Sequence, residues 1–202
     1  MVFKNRTEAG KILAAKLRQY QGRNALILAL PRGGVPVAAE VASALNAELD
    51  VVITRKIGAP GNPELAIGSV TGDGTVLLND SLVAALGVEN GFIDGKINQA
   101  KNEIAEYIRR YRGKRPIPEI TDRIVIIVDD GIATGYTVLA AARATLRKCP
   151  EELVIAVPVA PRESVYELEQ ATGCQVITVA QPSFFVAVGQ FYEDFKQVSD
   201  EE

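Results

Sequence analysis

The amino-acid sequence predicts an α/β fold in which an open, mostly parallel twisted sheet is flanked by helices. Short runs rich in β-branched residues alternate with segments of helical periodicity, which is the pattern of βαβ units. The run Arg123–Val128 (RIVIIV) is apolar at almost every position, as expected of a central parallel strand covered on both faces. At 202 residues the chain is long enough for a single domain with its own hydrophobic core.

The first quarter of the chain predicts a helix followed by a βαβ unit. An apolar stripe at helical spacing runs through residues 9–20. Asn24–Leu30 (NALILAL) then predicts a buried strand and Val35–Leu45 predicts a helix entered through a Pro-Arg-Gly-Gly turn. Leu49–Arg55 (LDVVITR) predicts the next strand.

The middle of the chain is irregular, and the second half returns to the βαβ pattern. Gly58–Pro63 is rich in glycine and proline and predicts a loop. In order after it, we expect strands at 65–70 and 75–78, a helix at Ile93–Arg112, a linker at Gly113–Asp122, a strand at Arg123–Val128, a helix at Thr137–Arg147, a strand at Leu153–Val157, a helix at Ser164–Ala171 and a strand at Gln175–Val179.

Composition excludes several classes of function. No apolar run approaches the roughly 18 residues of a membrane span, and a net charge of −3 without a basic tract argues against nucleic acid as a partner. We therefore expect a soluble, cytoplasmic protein that binds neither membranes nor nucleic acid. The chain contains no histidine, which excludes Ser-His-Asp and Cys-His catalysis and histidine-ligated zinc.

The segment Val128–Thr137 (VDDGIATGYT) carries the strongest functional signal. Asp129 and Asp130 follow the apolar strand at its carboxyl end, where open α/β sheets bind ligands. Gly135 allows the backbone to curl before a helix whose first N–H groups suit a phosphate, while the carboxylates suit adjacent sugar hydroxyls. The combination fits a sugar phosphate. The alternative is a plain strand–turn–helix junction with Thr137 as the helix N-cap.

This segment resembles the binding motif for 5-phosphoribosyl-1-pyrophosphate (PRPP) of type I phosphoribosyltransferases. The resemblance implies that Asp129 and Asp130 bind the ribose hydroxyls and take part in catalysis. It also implies that the 5-phosphate is bound by the loop residues Ala133, Thr134, Gly135, Tyr136 and Thr137. The resemblance is strongest to uncharacterised bacterial phosphoribosyltransferase-like proteins that share the segments LPRGG, RKIGAPGNPE and VDDGIATG.

A second glycine-containing turn, Leu30–Gly34 (LPRGG), also follows an apolar strand and precedes a helix. Gly33 and Gly34 permit close backbone approach, and Arg32 offers a fork of donors to a diphosphate. By itself the segment also fits a plain βα turn. The resemblance makes it the pyrophosphate-binding loop and predicts an unusual, cis peptide at Pro31–Arg32.

Arg55 and Lys56 close the predicted strand before the segment GAPGNPE. The resemblance makes this segment the flexible catalytic loop, with Arg55 and Lys56 meeting the leaving pyrophosphate. The alternative is a pair of solvated charges at a strand end. Glu64 in the same segment is a further candidate, as a base toward the incoming nucleobase.

The resemblance further implies a homodimer that transfers a phosphoribosyl group from PRPP to a nitrogenous base. Mg²⁺ would be held through PRPP, with Asp129 or Asp130 contacting it only through water. Ala133 departs from hypoxanthine–guanine enzymes, which carry an acidic residue there, so the acceptor stays open. A PRPP-sensing regulatory protein without turnover is the alternative function.

The expected domain organisation is a single phosphoribosyltransferase-like domain over residues 1–202. Its core comprises about 24–57 and 123–180, and its insert and base-binding hood comprise about 58–122 and 182–202. Phe184, Phe185 and Tyr192 in the last segment are candidates for stacking on a base, or alternatively simple core aromatics.

Overall fold

The computed structural model describes residues 2–113 and 115–199, with the side chain of Glu64 outside the described part. The helices are α1 (Arg6–Lys16), α2 (Gly34–Leu45), α3 (Asp80–Ala85), α4 (Asn90–Arg112), α5 (Tyr136–Leu146) and α6 (Arg162–Thr172). The strands are β1 (Leu26–Ala29), β2 (Glu48–Val51), β3 (Thr54–Ala59), β4 (Asn62–Thr71), β5 (Val76–Leu78), β6 (Ile124–Val128), β7 (Glu152–Val159) and β8 (Gln175–Ala180).

Five strands form a parallel sheet in the order β2-β1-β6-β7-β8, with helices on both faces. Alternate residues of β6 face opposite cores. Ile126 packs with α1 and α2, whereas Val125 and Ile127 pack with α5 and α6. This two-sided burial explains why the strand is apolar throughout. The predicted α/β fold class is confirmed.

The remaining strands form a separate antiparallel sheet, β3-β4-β5. We call this sheet with α3 and α4 the hood; it covers most of the first predicted hood segment, 58–122, and none of the second, 182–202. Its own small core contains Ile57, Ile67, Val70 and Ile104. The predicted loop at 58–63 is instead a hairpin whose tight turn lies at Pro60–Gly61, with Gly61 at a φ of +72°. Helix α3 has six residues and was not predicted; Asn79 caps it by accepting from the Leu82 amide at 3.0 Å.

The prediction of one strand from Leu49 to Arg55 is wrong, because the chain passes from one sheet to the other within it. The Val52 amide still donates to Ala29 of the parallel sheet at 2.9 Å. One residue later, the Ile53 carbonyl accepts from the Gly72 amide of the hood at 2.9 Å. Since both sheets bury β-branched side chains, the apolar pattern does not mark the crossing.

The two chain ends meet beside the carboxyl edge of the parallel sheet. Phe3 donates to the Phe191 carbonyl and accepts from the Glu193 amide, both at 2.8 Å, which forms a short parallel bridge to Tyr192. The rings of Phe3 and Tyr192 lie 5.4 Å apart. This pairing delivers the beginning of α1 and the segment 192–196 to the same place. No helix in the described residues is long and apolar enough to cross a membrane.

Candidate functional site

The loops that follow β1 and β6 meet at the carboxyl edge of the parallel sheet. The two strands are neighbours, and the Leu30 amide extends their ladder by donating to the Val128 carbonyl at 2.9 Å. A Cβ atom added to Gly33 would lie 2.0 Å from Oδ2 of Asp130, and one added to Gly34 would lie 2.7 Å from the Val128 carbonyl oxygen. Close packing of the two loops therefore requires glycine at position 34, where the neighbouring atoms are backbone, and at position 33 leaves room for the Asp130 carboxylate.

Asp129 and Asp130 form a partly buried carboxylate pair at this junction. The Asp130 amide donates to Oδ1 of Asp129 at 2.8 Å, which fixes one carboxylate against the backbone of the next residue. Burial raises the pKa of Asp129 well above its ordinary value, and the adjacent Asp130 charge raises it further. Burial also raises the pKa of Asp130, against the opposing effect of Arg6. The pair can accept hydrogen bonds from hydroxyls or from metal-bound water.

Two residues from distant parts of the chain contact Asp130 of this carboxylate pair, and neither contact was predicted from the sequence. Arg6, the first residue of α1, donates from Nε to Oδ2 of Asp130 at 2.8 Å. Tyr192 donates its hydroxyl to the backbone carbonyl of Asp130 at 2.6 Å. Burial and then the Asp130 charge raise the pKa of Tyr192, which keeps it a donor. Arg6 and Asp130 are 124 positions apart, and no local pattern connects them.

The predicted 5-phosphate loop is exposed and ends in a helix N-terminus. Gly135 adopts a left-handed φ of +75° and is the N-cap of α5, so the alternative in which Thr137 caps the helix is wrong. Ala133, Thr134 and Thr137 are solvent-exposed. The hydroxyl of Ser164 in α6 donates to the Ala133 carbonyl at 2.6 Å and ties the loop to its neighbour. The first turn of α5, from Tyr136, thus presents backbone donors to an open surface.

The Pro31–Arg32 peptide is cis, as the resemblance predicts. Arg32 lines a cavity of about 320 Å³ together with Arg110 of α4 and Arg115 beyond it. Asp50 also lines this cavity, and its Oδ2 accepts from Nε of Arg112 at 3.1 Å and from Nη2 of Arg112 at 2.6 Å. Helix α4 of the hood therefore reaches the edge of the parallel sheet next to the Arg32 loop.

Arg55 and Lys56 lie inside β3 and not at the end of a strand, so their predicted position is wrong. Arg55 packs on α4: its Nε is 3.4 Å from Glu103 and its guanidinium lies 4.2 Å from the centre of the Tyr107 ring. Both cations line a cavity of about 310 Å³ between the β3–β4 hairpin and α4. In this structure Arg55 thus faces the hood helix and not the carboxylate pair. The side chain of the candidate base Glu64 lies outside the described residues.

An open cleft of about 1100 Å³ adjoins the other side of the predicted 5-phosphate loop. It is lined by Ala133, Thr134 and Tyr136 of the loop, by the beginning of α6, and by residues 181–183, 185 and 186. Phe185 reaches this cleft and stacks on Phe191 at 5.2 Å. Tyr192 is buried in the core and stacks on Phe195 at 5.0 Å, whereas Phe184 is 75% exposed.

The donor set at the junction consists of two carboxylates. Within residues 2–113 and 115–199 there is no group of three or more His, Cys, Asp and Glu side chains placed to hold a metal ion. Two carboxylate oxygens on one edge nevertheless suit a hard cation that keeps most of its water and binds mainly through a substrate phosphate. The pair fits that kind of site and not a cage made of protein ligands alone.

Comparison with known proteins identifies the class of protein to which this fold and site belong. The sequence profile of the phosphoribosyl transferase domain matches residues 3–196. The chain therefore belongs to the phosphoribosyl transferase domain family, and the resemblance found in the sequence motifs is confirmed at this level.

Individual relatives agree with this assignment. Two curated proteins of Mycobacterium tuberculosis (strains CDC 1551 and H37Rv), provisionally named as phosphoribosyl transferases, are 41% identical over 201 residues. The chain spans 45% of their length. The crystal structure of TT1426 from Thermus thermophilus is 39% identical and superposes with a TM-score of 0.84, covering 100% of this chain and 95% of that one.

Proposed function

We propose that this protein binds PRPP across the two loops and transfers its phosphoribosyl group to a nitrogenous base, with release of pyrophosphate. The observation that carries the proposal is the contact of Gly33 with Asp130. It joins a glycine turn suited to a diphosphate and a carboxylate pair suited to ribose in one surface. The exposed first turn of α5 supplies the third element, a phosphate subsite.

Each part of PRPP then has a partner of matching chemistry. Asp129 and Asp130 accept hydrogen bonds from the two ribose hydroxyls, and the loop from Ala133 to Thr137 donates to the 5-phosphate. Arg32 and the Gly33 amide donate to pyrophosphate, while Gly34, whose own amide donates to the Leu30 carbonyl at 3.0 Å, supplies only the room for close approach. Mg²⁺, carried by PRPP, would neutralise the leaving group and contact the carboxylate pair through water. Lys56 and Arg55 would add positive charge when the hood hairpin closes.

The transfer needs positioning more than proton chemistry. The bond from the ribose carbon to pyrophosphate breaks with its electron pair leaving on pyrophosphate, and a nitrogen of the base forms the new bond to that carbon. The proton that this nitrogen carried passes to the departing pyrophosphate or to water. The residues named above orient the sugar and stabilise leaving-group charge. The cleft beside Ala133 and Phe185 is the candidate acceptor site. Ala133 cannot exchange a proton with the base, which disfavours an acceptor that depends on an acidic residue there.

One observation favours a second candidate, a PRPP-sensing protein without turnover. The cation Arg55 contacts Glu103 and Tyr107 of α4, so catalysis requires it to leave both partners. A sensor would need only the ribose and phosphate subsites, which the parallel sheet supplies alone.

Binding of PRPP tests the proposal. The protein is heated with and without PRPP and Mg²⁺, as wild type and as the double variant Asp129→Asn/Asp130→Asn. Ligand at about 100 times its dissociation constant stabilises by roughly 2.7 kcal/mol, or about 5–10 °C for a chain of this size. We expect this shift in the wild type and its loss in the double variant. Asp94→Asn, an exposed carboxylate on α4, is the matched control and should retain the shift.

Pyrophosphate release separates the two candidates. Wild-type protein with PRPP and Mg²⁺ is supplied with a panel of purine and pyrimidine bases, and pyrophosphate is measured. Release with one base and not with the others establishes transfer and identifies the acceptor. Binding without release across the panel favours the sensor, and no binding at millimolar PRPP rejects both candidates.

A further inference from the structure

Arg6 is held on three sides at the carboxylate pair. Its Nε donates to Oδ2 of Asp130 at 2.8 Å, and its Nη1 donates to the Lys196 carbonyl at 2.8 Å. Its guanidinium lies 3.9 Å from the centre of the Phe195 ring. The Arg6 and Asp130 side chains are only 11% and 13% exposed. A planar guanidinium that satisfies two acceptors and one ring at once has little freedom to rotate.

The backbone on both sides of this ion pair is fixed as well. Asn5 caps α1 by accepting from the Glu8 amide at 2.9 Å, so Arg6 begins the helix in a defined orientation. At the other end, the Tyr192 hydroxyl holds the Asp130 carbonyl. Because Phe3 pairs with the strand-like segment at Tyr192, these two anchors belong to one connected unit.

The position of Arg6 matters for the neighbouring carboxylate. Two adjacent aspartates repel each other when both are ionised, and a cation on one of them offsets that repulsion. Arg6 contacts Oδ2, the oxygen that also lies against Gly33, so it anchors the inner side of the Asp130 carboxylate. The contact with Arg6 thereby also sets the direction of the other carboxylate oxygen, Oδ1, and Arg6 does this without contacting a ligand itself.

We propose that Arg6 is a positioning residue: it fixes the Asp130 carboxylate in the orientation in which that group accepts hydrogen bonds from the ribose of PRPP. The inference rests on the proposed function and adds to it a residue from the first helix. Phe195 and the Lys196 carbonyl contribute to this positioning, because they fix the Arg6 guanidinium that contacts the Asp130 carboxylate.

Calorimetric titration with two probes tests this role. Arg6→Gln and wild type are titrated with PRPP and, separately, with pyrophosphate, both with Mg²⁺. Loss of a residue that orients a metal ligand typically weakens metal binding by about 10- to 100-fold, and we take the low end of that scale for a residue that orients a hydroxyl-binding carboxylate. We expect Arg6→Gln to bind PRPP at least tenfold more weakly while its pyrophosphate affinity changes by less than about twofold. A merely structural role would lower both affinities together.

A matched control exists at the opposite end of β6. Arg123 is 15% exposed and pairs at 2.8 Å with Glu48, which is 51% exposed, so Arg123→Gln removes an ion pair of the same length but with a more exposed acid, far from the loops. It should lower the unfolding temperature and leave PRPP affinity unchanged. If Arg6→Gln does not fold, Arg6→Lys replaces it, because lysine keeps the charge but cannot make the same fork of contacts; we expect a roughly three- to tenfold loss for PRPP alone.

The outcomes are distinct. Unchanged PRPP affinity in the folded Arg6 variant, or an equal loss for PRPP and pyrophosphate, overturns the positioning role and leaves the proposed function standing. Wild-type protein that fails to bind PRPP overturns both. Selective loss for PRPP, absent in Arg123→Gln, supports the inference.

Discussion

The two sheets of this protein hold their charged residues in different ways. In the parallel sheet, Asp130 is wedged against Gly33 and paired with Arg6, and both charged side chains are nearly buried. In the hood, Arg55 rests on Glu103 and Tyr107 through a looser pair whose members are 28% and 44% exposed. Buried, crowded groups are fixed by their surroundings, whereas exposed pairs contribute little and exchange partners readily. On the proposed function, the ribose end of the site is rigid and the leaving-group end is adjustable.

The largest expected effect comes from filling the space between Gly33 and the Asp130 carboxylate, at the edge of the parallel sheet. Gly33→Ala places a methyl group on the Asp130 carboxylate and forces that side chain away from Arg6. We expect PRPP affinity to fall about 100-fold, which corresponds to about 2.7 kcal/mol, as measured by calorimetric titration. Gly33 has an ordinary helical φ of −59°, so backbone strain does not contribute.

The hood offers the matched alanine substitution. Gly95 lies inside α4 with nothing within 4 Å of an added Cβ, so Gly95→Ala should stabilise the protein by about 0.5–1 kcal/mol and leave PRPP affinity unchanged. Equal PRPP affinity in Gly33→Ala and Gly95→Ala would show that the two loops move apart freely. The ribose end of the site would then not be rigid.

An intermediate effect is expected on the stability of the ligand-free protein. Since the folded-state pKa of Asp129 is raised, the folded state prefers the protonated carboxyl. The associated stability is present below the unfolded pKa of about 3.9 and is lost as pH rises toward the folded pKa. Asn does not titrate, so Asp129→Asn should have a higher melting temperature than the wild type at pH 8. Thermal melts should show this advantage shrinking as pH falls toward 4.

The exposed Asp94→Asn on α4 controls for the general effect of removing a negative charge, and its melting temperature should track the wild type at every pH. A wild-type advantage over Asp129→Asn at pH 8 would mean that the carboxylate is stabilised by its surroundings and not strained by them.

The smallest effect concerns the hood. Glu103→Gln weakens the hold on Arg55 and should make it easier for Arg55 to reach pyrophosphate. Because exposed ion pairs contribute about 0–1 kcal/mol, PRPP should bind about two- to threefold more tightly. Glu106→Gln, exposed on the same helix, should have no effect. Weaker PRPP binding by Glu103→Gln alone would indicate that Arg55 acts from its place on α4.

The parallel sheet and its loops could be predicted because their signals are local. The apolar run before Asp129 and Asp130, and Gly135 ahead of a helix, each encode structure within a few residues. The predicted helices and the strands of this sheet lie within a few residues of their observed bounds, apart from the strand that crosses between sheets.

The rest depends on distant contacts. The change from β2 to β3 is set by bonds of Val52 to Ala29 and of Ile53 to Gly72, which belong to different sheets, and a continuous apolar pattern cannot report it. Short α3 begins at an Asn79 cap and packs Leu82 and Val83 on the hood core, but it has too few residues for a long periodic stripe. In the sequence, Arg6 is an ordinary charged residue in the first turn of a helix. Only folding brings it into contact with Asp130.

The meeting of the two chain ends has a consequence for the timing of synthesis. Asp130 receives Arg6 from one end and Tyr192 from the other, and the bridge from Phe3 requires residues up to 193. A ribosome adds Tyr192 62 residues after Asp130, so the full set of contacts around Asp130 forms only once residue 193 has been made. On the proposed function, a ligand that depends on this full set of contacts can bind the nascent chain only from that point.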